Sequence, residues 1–478
     1  MTAAHPDRHA IVVVDLAFGD CGKGTVVDFL ARRCGARAVV RFNGGPQAGH
    51  NVVTPDGRHH TFSQFGGGTF LPGVRTVLSR FVLVEPYALF NEAAHLAGLG
   101  VGDAMDRLLI DARCPVITPA HQAANRLREL ARGGRAHGTC GLGIGETMQD
   151  LSDHPRLMLR AADLPDRRTV AARLRAIRDL KLYQLRDVIP AVRAHPGARF
   201  SLDTLLDPSW VGAAADNYAE LARRATVADE PAVRAALRAP GATLYEGAQG
   251  VLLDEWHGFH PHTTWSTTTF ANADALLDEC GHGGRRTRVG VLRTYFTRHG
   301  AGPLVTADDG LRPALPEPHN ADAGWQGRFR VGAFDAVAAR YALGAAGPVD
   351  ALAVTHLDRL ARLPPRICTA YRDDAAPPSG GQAVRGGGED DELVIRQGDR
   401  ITDLRVRRPA DLARQERLTG LLGRCRPLYA PLAGEGRAGV DAQAFLGVIS
   451  QELRSPVGLT SAGPTADDKQ ILQSDWLA

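Results

Sequence analysis

"AIVVVDLAFGDCGKGT", residues 10–25, runs from a β-branched apolar segment into a glycine-rich turn. Ala10–Leu16 reads as a buried strand. The turn has the makings of a phosphate cradle. Glycines let backbone N–H groups approach an anion, and the N-terminus of the following helix favours negative charge. Its spelling departs from the Walker pattern of Gly, four residues, then Gly-Lys-Ser/Thr. Ala17 stands at the first glycine position, Gly24 follows Lys23, and Asp20 puts a carboxylate inside a loop suited to phosphate. Taken alone, the string also fits an ordinary strand-to-helix turn.

Outward from this stretch, residues 23–33 read as a helix. Further strands are expected at 36–42, 77–84, 241–250 (ending in a glycine turn), 287–296 and 349–358. Helices are expected at 119–132, where a proline starts the run, at 166–194 as two polar-faced pieces, and at 334–343. Alternating strands and helices predict an α/β fold with a largely parallel sheet, whose ligands sit at the carboxyl ends of the strands. Residues 373–392 form a low-complexity surface insertion, and 1–478 is otherwise expected to be a single domain.

With 478 residues and 44% apolar content, the chain can bury a substantial core. A net charge of +3 does not call for a nucleic-acid partner. No apolar run nears the ~20 residues of a membrane span. The N-terminus lacks a signal-peptide core, and seven dispersed cysteines without a CxxC pair suit reduced thiols, so a cytoplasmic location is expected. Only three lysines occur, at 23, 181 and 469, which sets Lys23 apart from surface filler.

Further glycine-rich or polar motifs follow strands. "RFNGGPQAGHN" (41–51) offers Gln47, His50 and Asn51; a lone loop histidine would ordinarily be a solvated side chain. "GTCGLGIGETMQD" (138–150) is either an anion-binding nest or a flexible loop. In 245–269, His257, His260 and His262 suggest a metal, but no cysteine or paired carboxylate completes a zinc set. Gln249 and Thr264 there suit hydrogen bonding to a phosphate or base. "GWQGRFRVGAFD" (324–335) spaces Arg328 and Arg330 for anion recognition or for a solvated loop. "VTHLD" (354–358) ends a strand with Thr355 and Asp358, and an aspartate there can accept from the N1–H and 2-amino group of guanine. "SAGPT" (461–465) could close a base pocket.

In this order the motifs resemble adenylosuccinate synthetase, from about residue 10 to about 472. The family's Gly-Asp-Glu-Gly-Lys-Gly-Lys is matched by Gly-Asp-Cys-Gly-Lys-Gly-Thr, "NAGHT" by "QAGHN" and "TRVGxGP" by "TRHGAGP", while "EGAQG" is identical. The resemblance implies a large, mostly parallel sheet flanked by helices, similar to P-loop NTPases, and a homodimer. It implies a GTP-dependent C–N ligase of purine biosynthesis. A base removes the N1 proton of IMP, O6 attacks the γ-phosphate of GTP, and the amine of aspartate displaces phosphate from C6. By resemblance Asp20 is the base and, with the Gly49 carbonyl, a ligand of Mg²⁺, whose charge removes the conflict between carboxylate and phosphate. His50 is the catalytic histidine at the transferring phosphoryl group, and Lys23 neutralises phosphate charge. Gly19, Gly22, Lys23, Gly24, Thr25, Asn51, Asp358, Ser461, Gly463 and Pro464 belong to the GTP site. Gln47, Thr139, Cys140, Gln249, Thr264 and Arg328 belong to the acceptor-nucleotide site, with Arg156 supplied by the partner subunit. His299, Trp325, Gln326 and Arg330 surround the amino acid.

The chain also departs from the family. Gln47 replaces an asparagine, Cys140 a threonine, Leu142 an arginine, Asn51 a threonine, and His356 the lysine that packs on guanine. Around the amino acid, Trp325-Gln326 replaces Thr-Thr and His299 replaces valine. Loss of a buried donor to a carboxylate is worth about 1.5–3 kcal/mol. These changes raise two alternatives: a diverged paralogue in specialised nucleoside metabolism with another amine donor or acceptor base, and a nucleotide-binding protein without catalysis. A P-loop GTPase switch is disfavoured by the failed Walker spacing.

Overall fold

The computed structural model describes residues 7–318, 320, 322, 325–364, 366–374, 389–432 and 441–477. Of the expected insertion at 373–392, residues 375–388 lie outside the described residues. Ten strands form one sheet: β1 (Arg8–Asp15), β2 (Ala38–Arg41), β3 (Arg75–Leu78), β4 (Leu108–Asp111), β5 (Thr226–Ala228), β6 (Gly241–Glu246), β7 (Arg285–Arg293), β8 (Ala351–Thr355), β9 (Val457–Ser461) and β10 (Lys469–Ile471). Their order is β10-β9-β8-β7-β1-β6-β2-β3-β4-β5, with only β10 antiparallel to its neighbour. Among the described residues, no helix is long and apolar enough to cross a membrane.

β1 lies in the interior of the sheet, and Val13 is in register with Glu246 of β6 and Val289 of β7. Layers cover both faces of such a strand, so the run Ala10–Val14 is continuously apolar and at most 1% exposed. Burying each of its valines stabilises the fold by about 1.5–3 kcal/mol. Around the sheet, α1 (Lys23–Arg33) follows directly from the turn after β1, with Gly22 in the left-handed region (φ 87°) at its cap. Further along the chain, with other helices between them, come α2 (Pro119–Arg132), α3 (Ile144–Asp153), α4 (Arg167–Gln184) and α5 (Ala336–Ala346).

α1 and α2 match the sequence expectation. The second helix expected within 166–194 is a single turn, Ile189–Val192. The strand expected at 77–84 ends at Leu78. Beyond it Val82 N–H turns back to the Ser79 carbonyl (2.9 Å), and the apolar run Val82–Val84 is buried in a loop. The strand expected at 287–296 breaks at Thr294, whose N–H donates to the Thr355 carbonyl (3.2 Å) and whose hydroxyl donates to the His356 carbonyl (2.9 Å). The chain therefore leaves the sheet. Tyr295–His299 pairs antiparallel with Phe329–Ala333, with Arg298 opposite Arg330.

The loops after β1, β2, β6, β8 and β9 are those singled out in the sequence. They gather at one end of the sheet, where ligands of parallel sheets bind.

Candidate active site

These loops line one cavity of about 1580 Å³, large enough for more than one ligand. Its floor is the turn after β1, organised by Asp15. The buried Asp15 carboxylate accepts from the N–H groups of Ala17 (2.9 Å), Gly19 (3.1 Å) and Cys21 (2.9 Å). It also accepts from Lys23 Nζ at 3.2 Å, and Lys23 Nζ donates to the Gly19 carbonyl at 2.7 Å. Two of three ammonium protons are thus committed, and the third is free to meet an anion. Sequence reasoning missed Asp15; the signal was a carboxylate ending a buried strand just before the glycine turn.

Gly250 packs against the same turn so closely that a Cβ there would lie 2.3 Å from the Ala17 carbonyl oxygen. Gln249 holds a left-handed φ of 57°, and its side-chain amide is buried without a partner. The Gln47 amide is likewise buried and unpartnered. Both line the cavity, so two polar groups face it without intramolecular competition.

His50 opens the strand His50–Val53, which lies against the start of α1: a Cβ on Gly24 would come 2.7 Å from His50 Cβ. His50 Nδ1 and Glu246 Oε1 are 2.7 Å apart, and Glu246 Oε2 accepts from Gly67 N–H at 2.8 Å. Burial, then the nearby Arg41, push the His50 pKa down to about 4 against the pull of Glu246. Burial would raise the Glu246 carboxyl, but His50, Arg41 and the Gly67 N–H outweigh it and leave its pKa lowered. His50 is therefore neutral, donating from Nδ1 and presenting an unpartnered Nε2. Glu246 is the first letter of "EGAQG" and was not singled out.

Asp20 lies in the cavity with about 29% side-chain exposure, and among the described residues its carboxylate has no hydrogen bond. Burial raises its pKa, opposed by His299 and Arg293. The Asp20 carboxylate and Gly49 both line the cavity, and a carboxylate and a backbone carbonyl are the hard oxygen donors that magnesium takes, so the chemistry of these residues fits such an ion. Arg293, also unanticipated, donates from Nη1 to the Asp20 carbonyl at 3.0 Å.

After β8, whose Thr355 hydroxyl donates to the Cys21 carbonyl of the same turn (2.7 Å), Asp358 pairs with Arg359 at 3.0 Å. His356 holds a left-handed φ of 62°, with its Nδ1 2.8 Å from Thr355 Oγ1; burial drives its pKa well down. The Thr25 hydroxyl donates to the Pro464 carbonyl (2.8 Å), joining α1 to the terminal loop, and the Ser461 hydroxyl donates to the Gly463 carbonyl (3.0 Å). Asn51 Oδ1 accepts from the Thr61 hydroxyl at 2.6 Å and lies 3.0 Å from His59 Nε2, within its own hairpin. Thr139, Cys140 and Thr264 line the cavity, and burial raises the Cys140 thiol.

Not every expected residue converges. Arg156 is exposed and stands outside the cavity. Arg328 is turned to solvent on Asp309 at 2.8 Å, with 55% side-chain exposure. Trp325 packs on the loop after α2, where a Cβ on Gly141 would lie 2.9 Å from its ring, whereas Gln326 does line the cavity. Arg330 Nη2 donates to the Gly300 (2.7 Å) and Gly302 (2.8 Å) carbonyls. The neighbouring Arg298, a cavity residue not anticipated, spends its donors on the Ala301, Pro303 and His262 carbonyls; burial and Arg330 push its pKa down to about 9. Neither arginine has a carboxylate in ion-pair reach among the described residues, but only Arg298 lines the cavity; Arg330 stands behind it, held on the Gly300 and Gly302 carbonyls.

Comparison with known proteins agrees with the order of the motifs. The family profile for adenylosuccinate synthetase matches residues 12–383. Adenylosuccinate synthetase of Acidithiobacillus ferrooxidans is 32% identical over 483 residues, covering 98% of this chain and 99% of that protein. That of Marinomonas sp. is 31% identical over 488 residues, covering 98% and 99%. The fold is similar to that of fully ligated adenylosuccinate synthetase from Plasmodium falciparum (TM-score 0.72, 18% identity, 97% and 99% of the two chains). It is less similar to the succinoaminodeoxyadenylate synthetase of cyanophage S-2L bound to dGMP and dATP (TM-score 0.56, 17% identity, 97% and 95%).

Proposed function

The chain belongs to the adenylosuccinate synthetase family, GTP-dependent IMP–aspartate ligases, and from that premise we propose how its own residues divide the work. The observation that carries the proposal is that Asp20, Lys23 and His50 face one cavity with reactive groups unspent. Asp20 has an unbonded carboxylate, Lys23 a spare N–H and His50 a free Nε2.

Asp20 accepts the N1 proton of IMP, which makes O6 a competent nucleophile toward the γ-phosphate of GTP. Lys23, held by Asp15, meets the negative charge on the phosphates. His50 donates to the transferring phosphoryl group from Nε2. The proton that Nε2 donates is taken up from solvent as the phosphates bind, and Glu246 compensates the resulting imidazolium across Nδ1. Magnesium, held by the Asp20 carboxylate and the Gly49 carbonyl, would supply Lewis-acid charge at the phosphates. Gln47 and Gln249 hydrogen-bond the acceptor nucleotide, joined by Thr139, Cys140 and Thr264. Asp358 reads guanine, with Ser461, Gly463 and Pro464 closing the base pocket and Asn51 on the triphosphate side. Arg330, beside Arg298, supplies positive charge for aspartate's carboxylates, with His299 and Gln326 beside it. Arg328 swings from Asp309 to the ribose. The outward Arg156 supports a homodimer in which it enters the partner's cavity.

The test is turnover of IMP, GTP and L-aspartate with Mg²⁺, followed by release of phosphate and formation of adenylosuccinate. Asp20→Asn is expected to abolish phosphate release and to keep GTP binding. Unchanged release in that variant would refute Asp20 as the base.

A further inference from the structure

We propose that Glu317, acting through Asn320, fixes His299 as the Nε2–H tautomer facing Asp20, which makes Glu317 and Asn320 positioning residues for that carboxylate. The consequence for turnover rests on Asp20 being the reacting base; the tautomer does not.

The donors and acceptors admit one arrangement. Glu317 Oε1 accepts from Arg293 Nη2 and from the Tyr295 hydroxyl. Its Oε2 accepts from Asn320 Nδ2 at 3.1 Å. A carboxylate only accepts, so the Asn320 amide is oriented with Nδ2 toward Glu317 and Oδ1 away. That Oδ1 lies 3.1 Å from His299 Nε2. An amide oxygen cannot donate, so Nε2 carries the proton. The proton points to Asn320, and the Nε2 that carries it lies 3.9 Å from Asp20 Oδ2, so this edge of the ring presents its positive end beside the carboxylate. The imidazole is held from its side by Phe329, at 4.7 Å between ring centroids, and its Nδ1 is buried without a partner.

The chain of contacts closes on itself. Arg293, which anchors Glu317, also donates to the Asp20 carbonyl and lies over the Tyr295 ring at 3.9 Å. One guanidinium thus ties the loop carrying Asp20 to the segment that sets its neighbour's proton. Asp20, His299, Glu317 and Asn320 all line the cavity, so the arrangement is a wall of the site. The Asp20 carboxylate has no hydrogen bond of its own, so the group across from it decides its orientation. A proton there attracts it, and a lone pair repels it.

Glu317→Gln inverts the chain without changing its shape. The oxygen of the introduced amide keeps Arg293 and Tyr295, and its N–H group now donates to Asn320. The Asn320 amide rotates, and His299 is left with a lone pair at Nε2 and its proton on Nδ1. Adding Asn320→Asp restores an acceptor at both ends and returns the proton to Nε2.

The experiment is nitrogen-15 NMR of histidine-labelled full chain at pH 8, with His299 identified by signal loss in His299→Val, alongside steady-state kinetics. Expected are Nε2–H in the parent, Nδ1–H in Glu317→Gln and Nε2–H again in the double variant. kcat should fall about tenfold and recover in the same order, with KM for GTP unchanged. An Nδ1–H tautomer in the parent, or no change between parent and Glu317→Gln, overturns the proposal. The parent spectrum alone decides if the variant does not fold. Normal turnover by Asp20→Asn would instead remove the role given to Asp20 and leave the tautomer result standing.

Discussion

Gly24→Ala tests whether the phosphate turn and His50 are one rigid unit. The added methyl would sit 2.7 Å from His50 Cβ, 3.0 Å from the His50 carbonyl carbon and 3.2 Å from the Asn51 carbonyl oxygen. Two of these three are backbone atoms, so rotating a side chain cannot relieve the clash. Reaching ordinary contact at 3.4 Å requires His50 and the start of α1 to separate by about 0.7 Å. A misplacement of ~1 Å near reacting groups lowers the rate by up to about 100-fold, so kcat for phosphate release should fall at least tenfold. The overpacking itself should destabilise by about 1–3 kcal/mol, which leaves a folded enzyme. Stopped-flow phosphate release at saturating substrates reads the first effect, and urea denaturation reads the second. A variant with parental kcat would refute the claim that His50 must hold its place against α1.

Replacing Glu246 with Gln removes the anion that compensates a protonated His50. The lost charge-assisted bond, about 1.5–3 kcal/mol, should lower single-turnover phosphoryl transfer by roughly 10- to 100-fold, with GTP binding by calorimetry unaffected. Asp335 caps α5 (Ala338 N–H donates to its Oδ1 at 3.0 Å), and burial raises its pKa from 3.8 to about 6, against the pull of that N–H and of Tyr371. Its folded state holds the proton more tightly than the unfolded chain, so stability is full at low pH and is lost as pH rises from about 4 through 6. Asp335→Asn removes that dependence, and its stability relative to the parent should improve by roughly 2 kcal/mol between pH 4 and pH 7 in urea titrations.

The α/β architecture was legible because its signals are local. Ala10–Leu16 is apolar without interruption because both faces of β1 are covered, and α1 and α2 start at a glycine cap and a Thr-Pro pair that no tertiary contact overrides. The breaks at Ser79 and Thr294 were not legible. The hydrogen bonds that make them go to residues as remote as Thr355 and His356, and an apolar run looks the same on either side. The same division holds in the site. Asp20, Lys23 and His50 stand in loops with readable motifs. Asp15 had a local signal, the acid that ends a buried strand, whereas Glu246, Arg298 and Glu317 become visible only through partners that the fold brings together.

The amino-acid pocket shows why substitution and geometry must be weighed together. Trp325 in place of a small hydroxyl residue suggests a filled pocket, yet its ring lies against Gly141 and does not line the cavity. Arg298 and Arg330 have no carboxylate partner among the described residues, their donors resting on backbone carbonyls. His299 is the replacement that does reach the reacting side, 3.9 Å from Asp20. A histidine there brings a hydrogen-bond donor where valine has none, and its direction is set by Glu317 and Asn320. With Asp20 in the role proposed for it, this replacement bears on how that carboxylate is held before it bears on which amine is joined.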